Sequence, residues 1–401
     1  MALQDTMTAR NLTREELLAG ARRAGPTLRR NAAQEETDGR LSDETVEALH
    51  ESGVFGMLVP RALGGSEVDP ITAIEVLQQL SYDNSSAGWV ALAASLEAGM
   101  CGAFLGDEAV ATMFGGDRFP VVAGQGGFSR PDTATKVEGG YRLSGDYSFG
   151  SGIQHAQWVY TQGIDDQSGA MRIHVAPVSD VELKPTSWDV LGLRATGSLD
   201  YSVRDVFVSD AFTHGLLVED PLRGGPLYTV GLTGLVMIVH EGWALGVARR
   251  MLDDLRDIVH EKIGRAGSLA ESPRFHEKFG FMEAKYAAAR AYVYTTWQGI
   301  AETLAAGRRI DMVEKSHMRM ALYQVTRMAA EIAEEVFFLA GTKPIWSSDL
   351  QRYFRDIHTG NQHGTSGPAV PEGVGRVLAG LAPGHDWAYL SVIPEEMMPP
   401  A

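Results

Sequence analysis

What this sequence has least of is sulfur chemistry: one cysteine, Cys101, in 401 residues. A single thiol can form neither an internal disulfide nor a cysteine-rich zinc site, and it points to a reducing, cytoplasmic setting. Lying in an apolar stretch, Cys101 is expected to be a buried small hydrophobe. Positive charge is also scarce. Lys and Arg number 35 against 51 Asp and Glu, a formal charge of −16. A surface of that sign repels nucleic acid and anionic membranes, so neither is expected as a partner. Long apolar runs are missing too. The most apolar run, Thr229 to Val239, is broken by His240 and Glu241 and is too short to span a bilayer, so it reads as a buried core helix. The polar opening residues lack the basic-then-apolar pattern of a secretory signal. No His, Cys and carboxylate set has metal-ligand spacing, and His155 and His174 read as structural.

What is present is an ordinary globular composition, 44% hydrophobic and 21% charged, on a chain too long for one small core. The patterning changes twice, giving three expected domains. Residues 1–117 carry helical periodicity. Thr13-Arg14-Glu15-Glu16 is a capping box and Leu41-Ser42-Asp43-Glu44 opens a second helix. Two further helices are expected near 70–82 and 86–104, and Asp107 is read as the cap of a short helix ended by Gly115-Gly116. Residues 118–215 carry short β runs, with Gly139-Gly140 and Ser144-Gly145 read as turns, and suit an antiparallel sandwich or barrel. Residues 216–401 return to helix. Long apolar-rich segments around 232–255, 279–304 and 312–339 suit a four-helix bundle whose leftover apolar faces favour a homo-oligomer, a dimer or tetramer. The expected class is α+β, mainly α. Gly124-Gln125-Gly126-Gly127 does not qualify as a dinucleotide fingerprint, because Phe128-Ser129-Arg130-Pro131 blocks the helix that would follow it. No G-x-S-x-G element joins Ser151 to a hydrolase scheme.

Three segments are more specific. Gly145 to Ala156 reads GDYSFGSGIQHA, Trp188 to Ser198 reads WDVLGLRATGS and runs on to Asp205-Val206-Phe207-Val208, and Tyr353 to Ser366 reads YFRDIHTGNQHGTS. In this order, with this domain pattern between them, the chain from about residue 15 to 382 resembles the acyl-CoA dehydrogenase superfamily, and most closely its flavin-dependent monooxygenase branch. The third segment separates the branches. The dehydrogenases carry E-G-T-S after a similar R-D stretch, with the Glu as base; here the four residues are His363-Gly364-Thr365-Ser366, with one residue fewer after Arg355.

The resemblance implies the oxygenase half of a two-component monooxygenase. Reduced FAD or FMN, delivered by a separate NAD(P)H-dependent flavin reductase, would react with O2 to a flavin hydroperoxide that attacks an aromatic or other electron-rich substrate. His363 would be the base that removes a substrate proton, a task an imidazole suits near neutral pH. The plainer reading of His363 is a helix-end histidine capping carbonyls, and His358 competes for the base role. Ser151 would approach the flavin N5, its hydroxyl and a neighbouring backbone amide holding the oxygenated flavin. Phe149 and Trp188 resemble aromatics packed on the isoalloxazine, with core positions as the alternative. Thr196 and Ser198 match flavin-lining hydroxyls, and Arg265 or Arg274 matches an arginine on the flavin phosphate, with surface charge as the alternative. The superfamily's usual histidine in the N-terminal domain is missing, since Trp89 to Met100 contains none. An acyl-CoA dehydrogenase with its base elsewhere, an amino-sugar N-oxygenase and a non-catalytic relative are the competing readings.

Overall fold

The computed structural model describes residues 11–125, 132–264 and 268–398. Five helices come first: α1 (Arg14–Asp38), α2 (Asp43–Ser52), α3 (Pro70–Asp83), α4 (Ser85–Phe104) and α5 (Asp107–Phe114). Their starts follow from local chemistry. Thr13 and Glu16 close the expected capping box on α1, Ser42 caps α2 and Asn84 caps α4 through two amides. Asp107 is not a cap: Gly106 holds that place, and Asp107 is the first helical residue, where its charge faces the positive end of the helix.

Eight strands follow: β1 (Val122–Gln125), β2 (Asp132–Val137), β3 (Gly140–Gly150), β4 (Trp158–Asp165), β5 (Met171–Pro177), β6 (Val181–Lys184), β7 (Leu199–Ser209) and β8 (Thr213–Gly215). They form one sheet in the order β6-β7-β3-β2-β4-β5-β8, with β1 beside β4. The sheet is mixed rather than purely antiparallel. β1 and β2 lie one after the other along β4, both parallel to it. The cause is topological: β3 turns back on β2, so a β4 placed on the opposite side of β2 starts from the end where β1 began. Gly139 makes the expected turn, but Ser144-Gly145 does not. That pair sits inside β3 at a break in register with β7, where the Ser144 hydroxyl accepts the Asp205 amide at 2.9 Å.

The rest is helical: α6 (Gly231–His260), α7 (Pro273–Ala305), α8 (Met312–Leu339), α9 (Asp349–Gly360) and α10 (Ala369–Leu378), then a hairpin of β9 (His385–Ala388) and β10 (Ser391–Pro394). By length and composition Ser85–Phe104 and Pro226–His260 could cross a membrane, yet 94% and 100% of their most apolar windows are buried inside the fold. α6 is buried on almost every side through Ala248. It can pack so closely because Gly242 and Gly246 face α3 without side chains; a Cβ there would sit 2.7 Å from the Ile74 carbonyl and 2.4 Å from that of Gln78. Cys101 is buried.

Candidate functional site

A cavity of about 1140 Å3 opens where α4, β4, α6, α9 and the loop between β6 and β7 meet, with the β9–β10 tip over it. It exceeds the usual range for one small ligand, about 300–1,000 Å3. Phe149, Ser151, Trp188, Ser198, His358 and His363 all line it. Thr196 stands behind Ser198. Arg274 opens α7, is exposed and does not line this cavity; Arg265 lies outside the described residues, as does the stretch from Gly126 to Pro131.

The β6–β7 loop is held in place by one carboxylate. Asp356 on α9 accepts the Leu193 amide at 2.5 Å and the Ser85 hydroxyl, joining the loop to α9 and the start of α4. Burial raises this carboxyl to about 6 against the pull of those donors. Leu193 takes a left-handed φ of 54°, and Gly192 passes so close to α9 that a Cβ would meet the Arg355 carbonyl at 2.3 Å. The Leu193 carbonyl then accepts from the Trp188 indole at 3.0 Å and the Thr196 hydroxyl at 2.7 Å.

That last bond sets a direction. Thr196 spends its only proton on the carbonyl, so at 2.6 Å it must accept from Ser198. Ser198 must in turn accept from Ser151 at 2.8 Å. With its proton turned inward, Ser151 offers lone pairs to the cavity. Its own amide donates to the Phe149 carbonyl and the Gly152 amide to that of Thr196, both at 2.8 Å. The hydroxyl, and not a backbone amide, is therefore the group available there. Phe149 has φ 67° and is 58% exposed, edge-on to Trp188 with ring centroids 6.1 Å apart.

His363 precedes the short turn Gly364–Ser366, and its Nδ1 lies 2.8 Å from the Thr365 hydroxyl. If the hydroxyl accepts from Nδ1–H, the Nε2 lone pair is free, as a base requires. The ring does not cap helix carbonyls: with Nδ1–H given to the Thr365 hydroxyl, the Thr365 amide 3.5 Å away is too distant to compete for that nitrogen. Stacked on it at 4.5 Å is His240 of α6, and Trp89 of α4 stands edge-on to both rings. His240 donates Nδ1–H to the Val236 carbonyl at 2.8 Å, which fixes its tautomer. Burial lowers His363 to about 4 and His240 to about 3, the second helped by its neighbour, so both are uncharged at neutral pH. His240 was not anticipated as a site residue; the available signal was a polar pair, His240-Glu241, ending an apolar run. His358 also faces the cavity, with Nε2 buried and unpartnered beside the unpartnered Thr359 hydroxyl. These orphaned polar atoms, the acceptor hydroxyl and two exposed-edge aromatics fit a large, polar-edged aromatic cofactor.

Acyl-CoA dehydrogenase domain models match residues 12–111 (N-terminal domain) and 238–366 (C-terminal domain). The chain belongs to the acyl-CoA dehydrogenase superfamily. Within it, this member falls in the flavin-dependent monooxygenase branch, whose enzymes use reduced flavin and O2. It is 29% identical to an indole-3-acetate monooxygenase of Pseudomonas putida over 86% of this chain and 88% of that one. It is 26% identical to the oxygenase subunit HsaA, a flavin-dependent monooxygenase of Mycobacterium tuberculosis, over 88% and 92%. XiaF from a Streptomyces species, solved with FADH2 and glycerol, superposes with a TM-score of 0.82 at 25% identity, covering 92% of this chain and 96% of XiaF. The superfamily's dehydrogenase reading is thereby set aside in favour of the oxygenase.

Buried neutral histidines recur outside the site. His174 and His214 of the sheet are held at about 3 and about 4 by burial. With His240 they would accept protons near 6.5 in the unfolded chain but not in the native one. Native stability from these groups is whole above 6.5 and is lost as pH falls toward 4 and 3. Thermal unfolding followed by circular dichroism is expected to move to lower temperature progressively from pH 6.5 to 4. A flat profile across that window would contradict the neutral-histidine assignment.

Proposed function

We propose that this chain hydroxylates an aromatic, electron-rich substrate, with His363 as the base and Ser151 as the flavin-facing hydroxyl. Two uncharged imidazoles and an inward-turned serine lining the same cavity carry this reading. When bound, reduced flavin supplies the electrons that activate O2, one oxygen atom passing to the substrate and the other leaving as water. Phe149 and Trp188 would flank the ring system. Ser151 would accept a hydrogen bond from an N–H of the reduced ring and slow the proton movement that wastes oxygen as hydrogen peroxide. His363 would take the proton of a phenol or ring N–H, making the substrate a better nucleophile. The walls around them, Leu92, Leu96 and Val236 among others, exclude water.

A separate NAD(P)H-dependent reductase would deliver the reduced FAD or FMN. Self-association is proposed through the apolar residues that α7, α8 and the turn after α8 leave exposed, Phe281, Phe338, Ile345 and Trp346. Arg274, exposed on the same helix as Phe281 and outside this cavity, would serve a flavin phosphate on a neighbouring copy.

The test is rapid mixing of anaerobically reduced flavin and protein with O2, scoring product and hydrogen peroxide per flavin oxidised. The wild type should couple most flavin oxidation to product once an accepted substrate is present. Ser151→Ala, losing one hydrogen bond worth about 1.5 kcal/mol, should raise peroxide release about tenfold. Unchanged partitioning would remove Ser151 from its role.

A further inference from the structure

One acid in the cavity is left over from this scheme. Glu97 of α4 is 6% exposed, lines the cavity, and its Oε2 has no hydrogen-bond partner among the described residues. Burial holds its carboxyl well above the usual carboxylate range. The neighbouring Tyr160 cannot donate to it. His214 gives Nδ1–H to the Gly215 carbonyl, so its Nε2 accepts the Tyr160 hydroxyl at 3.2 Å. Nor is Glu97 near the oxygen-transfer end. Gly152, next to Ser151, packs on Val90, and His363 meets Trp89, whereas Glu97 stands two turns further along α4, about 12 Å of helix rise beyond Trp89.

The charge inventory is one-sided. No Lys or Arg is among the described residues lining the cavity. The buried Arg319 behind the hairpin donates to the carbonyls of Tyr389 at 2.7 Å and Lys315 at 2.9 Å. Of the lining histidines His240, His358 and His363, the first and the last are neutral. An anionic tail at this end would find no Lys or Arg and at most the single O–H of a protonated Glu97, too little to offset burying its charge.

Resting on the monooxygenase reading, we infer that Glu97 is a specificity residue that anchors the far end of an elongated aromatic substrate by accepting from its O–H or N–H group, and that the substrate carries no carboxylate there. This separates the chain from relatives named for indole-3-acetate.

Three probes share one ring and differ in the tail: indole-3-acetate, tryptophol and tryptamine. Dissociation constants are measured anaerobically on the full chain with reduced flavin. Tryptophol or tryptamine should bind at least about tenfold more tightly than indole-3-acetate. The tighter of the two identifies a neutral hydroxyl or a charged amine as the natural terminus. Glu97→Gln keeps the volume and removes the ionisable oxygen, and should shrink the tryptamine to indole-3-acetate ratio about tenfold. Indole-3-acetate binding as tightly as the others, no binding of any probe, or a ratio unmoved by Glu97→Gln would overturn the inference. Whether the protein slows peroxide release relative to free reduced flavin, measured on mixing with O2 without any probe, judges the flavin-oxygen reading separately, so the two can fail independently.

Discussion

His363→Ala is expected to lower product formation by about 10²–10⁴-fold, the range over which a positioned base contributes, while flavin oxidation by O2 continues. Hydrogen peroxide should then replace product nearly mole for mole, because the variant keeps Ser151 and the aromatic walls but cannot draw the substrate proton. The contrast with the stacked partner is part of the test. His240 also presents an imidazole whose Nδ1 proton is committed to Val236, so its Nε2 is a lone pair. His240→Ala should cost less, through loss of the surface that packs His363. If His240→Ala abolished product while His363→Ala did not, the base would be His240. With His363 lowered to about 4, the coupled reaction should hold its efficiency down to about pH 4.5 and fall below it, provided the protein stays folded; a midpoint near 6.5 would mean that the ring is solvated.

Asp356→Ala should be the most damaging change outside the cavity. It would leave the Leu193 amide and the Ser85 hydroxyl without their acceptor, and a lost charged hydrogen bond at a buried donor costs about 2–3 kcal/mol. The larger consequence is positional. Leu193 carries the carbonyl that orients Trp188, Thr196 and, through them, Ser198 and Ser151. Release of that loop should weaken flavin binding about tenfold or more and raise peroxide leakage together with the fall in urea midpoint. Asp356→Asn, which keeps one acceptor oxygen, should recover part of both. Wild-type flavin affinity in Asp356→Ala would show that the loop is held by other means.

Much of this was readable in the order of residues, for identifiable reasons. Capping chemistry and unbroken periodicity set helices such as α8, whose ends match the expected 312–339. The fingerprint segments named Phe149, Ser151, Trp188, Ser198 and His363, and these do converge on one cavity. Signals that depend on distant pairing were not readable. Ser144-Gly145 looks like a turn until β7 supplies the partner that makes it a break in register. The parallel pairings of β1 and β2 with β4 depend on where the chain crosses over, which local pattern does not encode. The superfamily's N-terminal-domain histidine is missing from α4, and the imidazole stacked on His363 stands on α6, a pairing that only the helix contact reveals. The β9–β10 hairpin, whose four-residue strands are too short to show alternation, closes the cavity with Ala388 to Ser391 unannounced. The inward proton order of the three hydroxyls needed atomic positions.

The glycine contacts of α6 bear on how such a site can be re-tooled. With Gly242 and Gly246 pressed against the α3 backbone, the segment that bears His240 has no room to slide or tilt, and the end of the cavity holding His240 and His363 is effectively set in masonry. Tolerance to new side chains lies at the opposite end, around Leu96, Glu97 and the Tyr389-Leu390 tip. A library built to change what the enzyme accepts belongs there.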